Sequence, residues 1–141
     1  MRAVFADAGY WIATVDEDDA LHLKAVALAR SVAALEIVTT EMVLTELLNH
    51  VADFGPTYRR KAIGLVRSLR QSQAVRVLPF TEALFEAALL RYERFRDKQW
   101  GLTDCASFVI MESLGLTDAL ACDHHFQQAG FRARLREPSA P

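Results

Sequence analysis

Cysteine is nearly absent from this chain: Cys105 and Cys122 are its two examples in 141 residues. They form no CxxC pair and cannot make a disulfide framework, which excludes a stapled secreted scaffold and a cysteine-rich zinc site. Both read as small fillers of the core. No apolar run approaches the ~20 residues of a membrane span. The first residues, Met1 to Asp7, lack the apolar segment of a secretory leader. A cytoplasmic protein with no membrane contact is the expectation. Glycine-rich loops ahead of Lys-Ser/Thr are missing, and no serine lies in a GxSxG pattern, so P-loop and nucleophile-elbow chemistry are excluded. A net charge of -2 gives no global basic signature for nucleic acid. Repeats and low-complexity tracts are lacking too.

What is present fits one domain over residues 1–137, long enough to bury roughly 70% of its unfolded surface without staples. Residues 138–141 read as a frayed tail. Charge is unevenly spread. Between Arg59 and Lys98 there are ten Lys/Arg against four Asp/Glu, whereas Asp16 to Asp19 is an acidic knot. The basic stretch suits either solvated helices or a phosphate-facing surface, and charge alone does not decide between them.

Periodicity gives the elements. Arg2–Ala6 reads as a buried first strand ending at Asp7, and Ala8–Ala13 as a turn into a short helix. Leu21–Leu35 carries apolar residues at mixed helical spacing, and Glu36–Thr39 is a second strand with Thr39 or Thr40 as the next N-cap. Glu41–Asp53 is an amphipathic helix with Val43, Leu44, Leu47, Leu48 and Val51 on one face and Glu46 on its flank. Thr57–Ser72 follows Gly55-Pro56 as a basic helix with Ile63, Val66 and Leu69 inward. Val75–Leu78 is a third strand. Thr81 caps a helix through Phe95 with Leu84, Phe85, Ala88, Leu89 and Tyr92 inward. Thr103 caps a helix reaching Leu114, which Gly115 stops. Ala119–Cys122 is a buried strand ending at Asp123, followed by a short helix around Phe126 and a last strand at Arg132–Leu135. Strands alternating with helices imply a mainly parallel sheet covered on both faces. Right-handed crossovers then bring the strands' C-terminal ends to one edge.

Three acids converge on that edge: Asp7 after the first strand, Asp104 at a helix start and Asp123 after the fourth strand. Glu46, two turns into a helix that begins there, is a fourth. Clustered carboxylates raise one another's pKa, and a divalent cation relieves the repulsion. An all-oxygen set suits Mg²⁺ or Mn²⁺ over Zn²⁺, and such ions commonly act on phosphate. Asp104 and Glu46 taken singly are as well read as a helix-start acid and a solvated flank charge, whereas Asp7, ending a core strand, is not an ordinary solvated position. His124 and His125 match no zinc spacing; as neighbours they are expected to diverge, in surface or supporting roles. Trp11, Phe54 and Tyr58 are read as core.

The local sequences around these acids are distinctive: Val4-Phe-Ala-Asp7, Thr39-Thr-Glu-Met-Val-Leu-Thr-Glu46, Leu102-Thr-Asp104-Cys-Ala-Ser, and Leu120-Ala-Cys-Asp123-His-His-Phe126. With them the chain resembles, nearly end to end, the PIN domain, and within it the VapC-like toxins of bacterial toxin–antitoxin pairs. The resemblance implies a three-layer α/β/α sandwich and a Mg²⁺- or Mn²⁺-dependent ribonuclease. Its catalytic and metal-binding acids would be Asp7, Glu46, Asp104 and Asp123, with Thr103 supporting them; His125 is a second supporting candidate by its place beside Asp123. It further implies an RNA substrate, a cognate antitoxin whose tail covers the site, and frequently a homodimer. Two departures stand out. Gly9 replaces the Ser or Thr many relatives carry two places after the first acid, and His125 replaces a further acid two places after the fourth. The rival readings are a catalytically silent PIN-like binding module, and a receiver-like phospho-acceptor, which lacks the lysine it would need near the last strand. RNA and DNA present the same phosphate to such a site.

Overall fold

Five short strands, built mainly from β-branched and small apolar residues, pair into one sheet in the order β3-β2-β1-β4-β5. The computed structural model describes residues 2–138. The strands are β1 (Ala3–Ala6), β2 (Glu36–Thr40), β3 (Val75–Leu78), β4 (Asp118–Leu120) and β5 (Arg132–Ala133). Every pairing is parallel, with Val4 beside Ile37 and Phe5 beside both Val38 and Ala119. Parallel strands covered on both faces need continuous apolar runs rather than alternation. Val4, Phe5 and Ala6, and again Ala119, Leu120 and Ala121, are fully buried.

Chain direction sorts the helices. From β1 to β2 to β3 the chain steps one way along the sheet, through α1 (Ala8–Val15), α2 (His22–Ser31), α3 (Glu41–His50) and α4 (Pro56–Gln71). It then returns past β1 to β4 and β5 through α5 (Glu82–Arg94), α6 (Leu102–Ser113) and α7 (His124–Gln128). Right-handed crossovers running in opposite directions put the two helix groups on opposite faces. The contacts agree: α1 packs on α2, α3 and α4, while α6 packs on α5 and α7. The expected three-layer α/β/α sandwich with a parallel centre is the observed fold. Because the strand order reverses beside β1, the crevice between the C-terminal ends of β1 and β4 is the topological switch point, where open α/β sheets bind ligands.

Several boundaries and faces differ from expectation. The helix expected to reach Leu35 stops at Ser31, and α3 stops at His50, its last turn loosening toward the positive-φ Gly55. β4 is Asp118–Leu120, so Asp123 lies three residues past the strand and caps α7 through a bond from the His125 amide (2.9 Å). The last strand is two residues long and runs into a 3₁₀ turn, Arg134–Arg136. Thr103 is not the cap of α6. Gly101 holds that position, and its N–H donates to Asp104 Oδ2 (3.0 Å). In α5, Leu84 and Ala88 are buried as expected, but Phe85, Leu89 and Tyr92 are exposed, as is Ile63 in α4. α5 packs chiefly on α6, so it buries a narrower stripe than its composition suggests and leaves its second apolar row on the surface. Trp11 is buried, whereas Phe54 is exposed and stacks edge-on with Tyr58. No helix of the described residues is long and apolar enough to cross a membrane. Residues 139–141 of the expected tail lie outside those described.

Candidate active site

Asp7 is the deepest of the acids. It follows β1 directly, with its N–H donating to the Leu120 carbonyl (3.0 Å) and its backbone capping α1. That tie to β4 holds the residue in the switch-point crevice, 7% exposed. Its Oδ1 is buried without a hydrogen-bond partner. Burial, then the negative charge of Asp104, push its pKa up from 3.8 to about 7; Glu46 and Asp123 add to the rise, and the Ala8 N–H opposes it. An orphaned buried carboxylate oxygen is costly, and so it points to a missing partner.

The other three acids surround it. Asp104 accepts from the Gly101 N–H and lies 3.0 Å from His125 Nδ1. Burial raises its pKa; the hydrogen bonds from Gly101 and His125 work against that, and Asp123 works with it. Glu46 is raised by burial and by the charges of Asp104 and Asp123, with the Thr103 hydroxyl beside it pulling the other way. Asp123 Oδ1 accepts from the His125 N–H, and its Oδ2 lies 3.2 Å from His125 Nδ1. The four acids therefore share one crevice, with Thr103 lining it beside Glu46 and His125 bridging Asp104 and Asp123.

The two histidines do not diverge. Their ring centroids lie 4.5 Å apart, and His124 Nδ1 is 3.4 Å from Asp123 Oδ1. Both turn to Asp123 because it caps the helix they begin. His125 is largely enclosed and His124 is open to solvent.

Cys122 is more than a core filler. A Cβ built on Gly9 would lie 2.6 Å from the Cys122 sulfur, so the thiol occupies the space that a Ser or Thr at position 9 would need. Burial and then the charges of Asp7 and Asp123 raise the pKa of that thiol, keeping it neutral at the rim of the acid cluster. The substitution of Gly for a hydroxyl residue was visible in the sequence; its pairing with Cys122 was not. Thr39 was also missed as a brace. Its hydroxyl donates to the Ala6 carbonyl (2.9 Å) and accepts from Trp11 Nε1 (3.4 Å), tying β2, β1 and α1 together just behind Asp7. Of the basic residues proposed for a phosphate surface, Arg91 is committed to Glu112 and Arg59 to the Ala52 carbonyl.

A PIN-domain family model matches residues 4–132, nearly the whole chain and all four acids. The chain belongs to the PIN-domain family. Its sequence is 30% identical over 131 residues to the 23S rRNA-specific endonuclease VapC20 of Mycobacterium tuberculosis, covering 91% of this chain and 95% of that one. The same match is found in a second strain of that organism. The crystal structure of M. tuberculosis VapC20, described as a Sarcin-Ricin loop cleaving toxin, superposes with a TM-score of 0.81 at 28% identity, covering 92% of this chain and 97% of that one. FitAcB from Neisseria gonorrhoeae shares the PIN fold, with a TM-score of 0.63 at 19% identity over 92% and 94% of the two chains.

The donor set fits a divalent cation by its chemistry and by the unpartnered oxygen of Asp7. Three crowded carboxyls have proton affinities raised by burial and mutual repulsion, and one oxygen is buried without a partner. Hard oxygen donors of this kind suit Mg²⁺ or Mn²⁺.

Proposed function

We propose that this PIN domain is the toxin of a toxin–antitoxin pair, a Mg²⁺- or Mn²⁺-dependent endoribonuclease acting in the cytoplasm. The observation that carries the reading is the buried, partnerless Oδ1 of Asp7 in a crevice of four acids. Kinship to an rRNA endonuclease over almost the full chain supports the substrate class and makes ribosomal RNA the first RNA to try.

Asp7, Asp104 and Asp123 would hold the ion, with Glu46 completing the set. Bound there, the cation supplies charge neutralisation at the scissile phosphate and a water of lowered pKa. Glu46 sits at the mouth of the cluster with a raised proton affinity, which suits it to take the proton of the attacking water as the 3′-oxygen departs in line. Thr103, beside Glu46, is placed to orient its carboxylate. His125 Nδ1 holds Asp104 and Asp123 at a fixed separation, a bracing role common around carboxylate metal sites. The products are 5′-phosphate and 3′-hydroxyl ends. Residues 1–137 act as one catalytic unit. A cognate antitoxin is the expected protein partner, its tail covering the crevice. Phe85, Leu89 and Tyr92, spaced to form one exposed row on α5, offer apolar surface for a homodimer.

The test is cleavage of end-labelled total RNA by partner-free protein with Mg²⁺, Mn²⁺ or EDTA, beside Asp7→Asn. Cleavage to 5′-phosphate ends, lost in EDTA and in the variant, is the expected result. Cyclic-phosphate ends that persist in EDTA would overturn the carboxylate mechanism. Folded protein that binds ions and RNA but cuts nothing would favour the silent binding module.

A further inference from the structure

α3 carries more than Glu46 on the side it turns to the crevice. Met42, Thr45, Glu46 and Asn49 are spaced i, i+3, i+4 and i+7, so they form one stripe along the helix. That stripe lines one wall of a cleft of about 310 Å³, and Glu41, Phe80 and Thr103 line the rest. Since Glu46 and Thr103 belong to both places, the cleft opens directly off the acid cluster. Its size is at the low end of small-molecule sites, roughly 300–1,000 Å³.

Phe80 is held where it stands. It belongs to the turn between β3 and α5, and its N–H donates to Glu41 Oε1 at the start of α3 (2.7 Å), which pins the turn to the helix. Its ring packs on Phe85 with centroids 5.6 Å apart and is still 41% exposed. An anchored aromatic face left open beside a catalytic cluster is a platform for stacking. Across the cleft, the Asn49 amide offers one donor and one acceptor, the pair that reads a base edge. The lining includes Glu41 and Glu46 and no lysine or arginine, so it repels the phosphate backbone and suits the neutral part of a nucleotide.

We propose that this cleft is a nucleobase subsite, holding an unpaired purine beside the scissile phosphate, stacked on Phe80 and hydrogen-bonded by Asn49. The purine is chosen on two grounds. Its larger face gains more from stacking, and adenine's N6–N7 edge matches an asparagine amide in two bonds. Sequence-specific proteins read single-stranded RNA in this way, by splaying a base onto an aromatic ring and pairing with its exposed edge. The inference rests on the ribonuclease reading and adds a determinant of where the enzyme cuts.

The experiment is cleavage of a pool of short single-stranded RNAs with a randomised centre, sequenced at the cut ends. Wild type, Asn49→Ala, Phe80→Ala and Phe80→Tyr are compared. Wild type should prefer a purine at one position next to the cut. Asn49→Ala should flatten that preference, and Phe80→Ala should lower kcat/KM by about ten-fold, with Phe80→Tyr retaining most of it. A 2-aminopurine placed at that position should lose fluorescence on binding wild type and keep it with Phe80→Ala, a readout that does not depend on turnover. An unchanged base profile in both alanine variants, with all proteins melting normally, overturns the subsite and leaves the nuclease standing. Absence of cleavage by wild type of both this pool and total RNA, with Mg²⁺ and with Mn²⁺, overturns the nuclease reading and the subsite with it.

Discussion

Replacing Asp7 with asparagine should stabilise the ion-free protein at pH 8 while abolishing its stabilisation by divalent cations. The folded-state pKa of Asp7 lies near 7 against an ordinary 3.8. Between roughly pH 4 and 7 the native state therefore keeps a proton that the unfolded chain has released. A group raised in this way stabilises the fold most below its unfolded value, and that stability is lost as pH rises through the folded value. The shift is about three units, and at about 1.36 kcal/mol per unit the ceiling is about 4 kcal/mol. Glu46 and Asp104 are raised too, by burial first and then by neighbouring acids, so the loss is shared across the cluster. For a chain of this size about 2–4 °C accompanies each kcal/mol.

Thermal unfolding in EDTA should therefore show a wild-type midpoint that falls by at least about 4 °C from pH 5 to pH 8, and a smaller fall in Asp7→Asn. Adding Mn²⁺ at pH 8 should reverse the wild-type loss, since an ion at a hundred times its Kd contributes about 2.7 kcal/mol. At pH 5 the same addition should do far less, because protons then compete for the carboxylates. The reasoning is refuted if Asp7→Asn melts below wild type at pH 8 in EDTA. It is also refuted if the ion stabilises variant and wild type equally.

Other perturbations separate the supporting roles. Glu46→Gln should lower kcat by about 10²–10⁴ with little change in melting, and single-turnover cleavage rates would show it. His125→Ala should weaken Mn²⁺ binding by about 10- to 100-fold in calorimetry, whereas His125→Asp, adding a carboxylate, should tighten it; equal affinities in all three proteins would remove His125 from the site. Gly9→Ser should cost about 1–3 kcal/mol by pressing its Cβ on the Cys122 sulfur, and Cys122→Ala should recover most of that loss in denaturant titrations of the double variant. Leu89→Glu should shift sedimentation toward monomer if the α5 row carries the homodimer, and unchanged sedimentation of a dimeric wild type would place the interface elsewhere.

The sheet and its helices could be read from the chain because their signals are local. Val4-Phe-Ala and Ala119-Leu-Ala are apolar runs too short for helices, and Val43, Leu44 and Leu47 repeat at the helical period. Parallel topology follows from alternation and handedness alone, and it gathers Asp7 and Asp123 at one edge. The errors lie where a neighbour decides. Phe85, Leu89 and Tyr92 are apolar on a helix, so periodicity turned them inward, yet only tertiary packing determines how wide a stripe α5 buries. Thr103 looks like a cap by residue type, but the chain enters α6 two residues earlier, at Gly101, because Asp104 can reach back to that N–H. His124 and His125 were separated by a rule about adjacent side chains that does not hold in the first turn of a helix capped by the acid both approach.

Cys122 shows how a long-range pair rewrites a local motif. Read alone, Gly9 is a lost hydroxyl and Cys122 a small apolar residue. In the fold they are one adjustment: the sulfur fills the volume that the glycine vacates, at the wall shared by Asp7 and Asp123. A thiol kept protonated by those acids adds no charge to a cluster already strained by repulsion, and it is a poor hydrogen-bond partner for the carboxylates. Asp7 Oδ1 has no hydrogen-bond partner beside this thiol, an unmet demand that a cation can answer. The departure from the common motif does not weaken the ionic reading. The four acids are unchanged, and the neutral thiol adds no charge to compete with an ion.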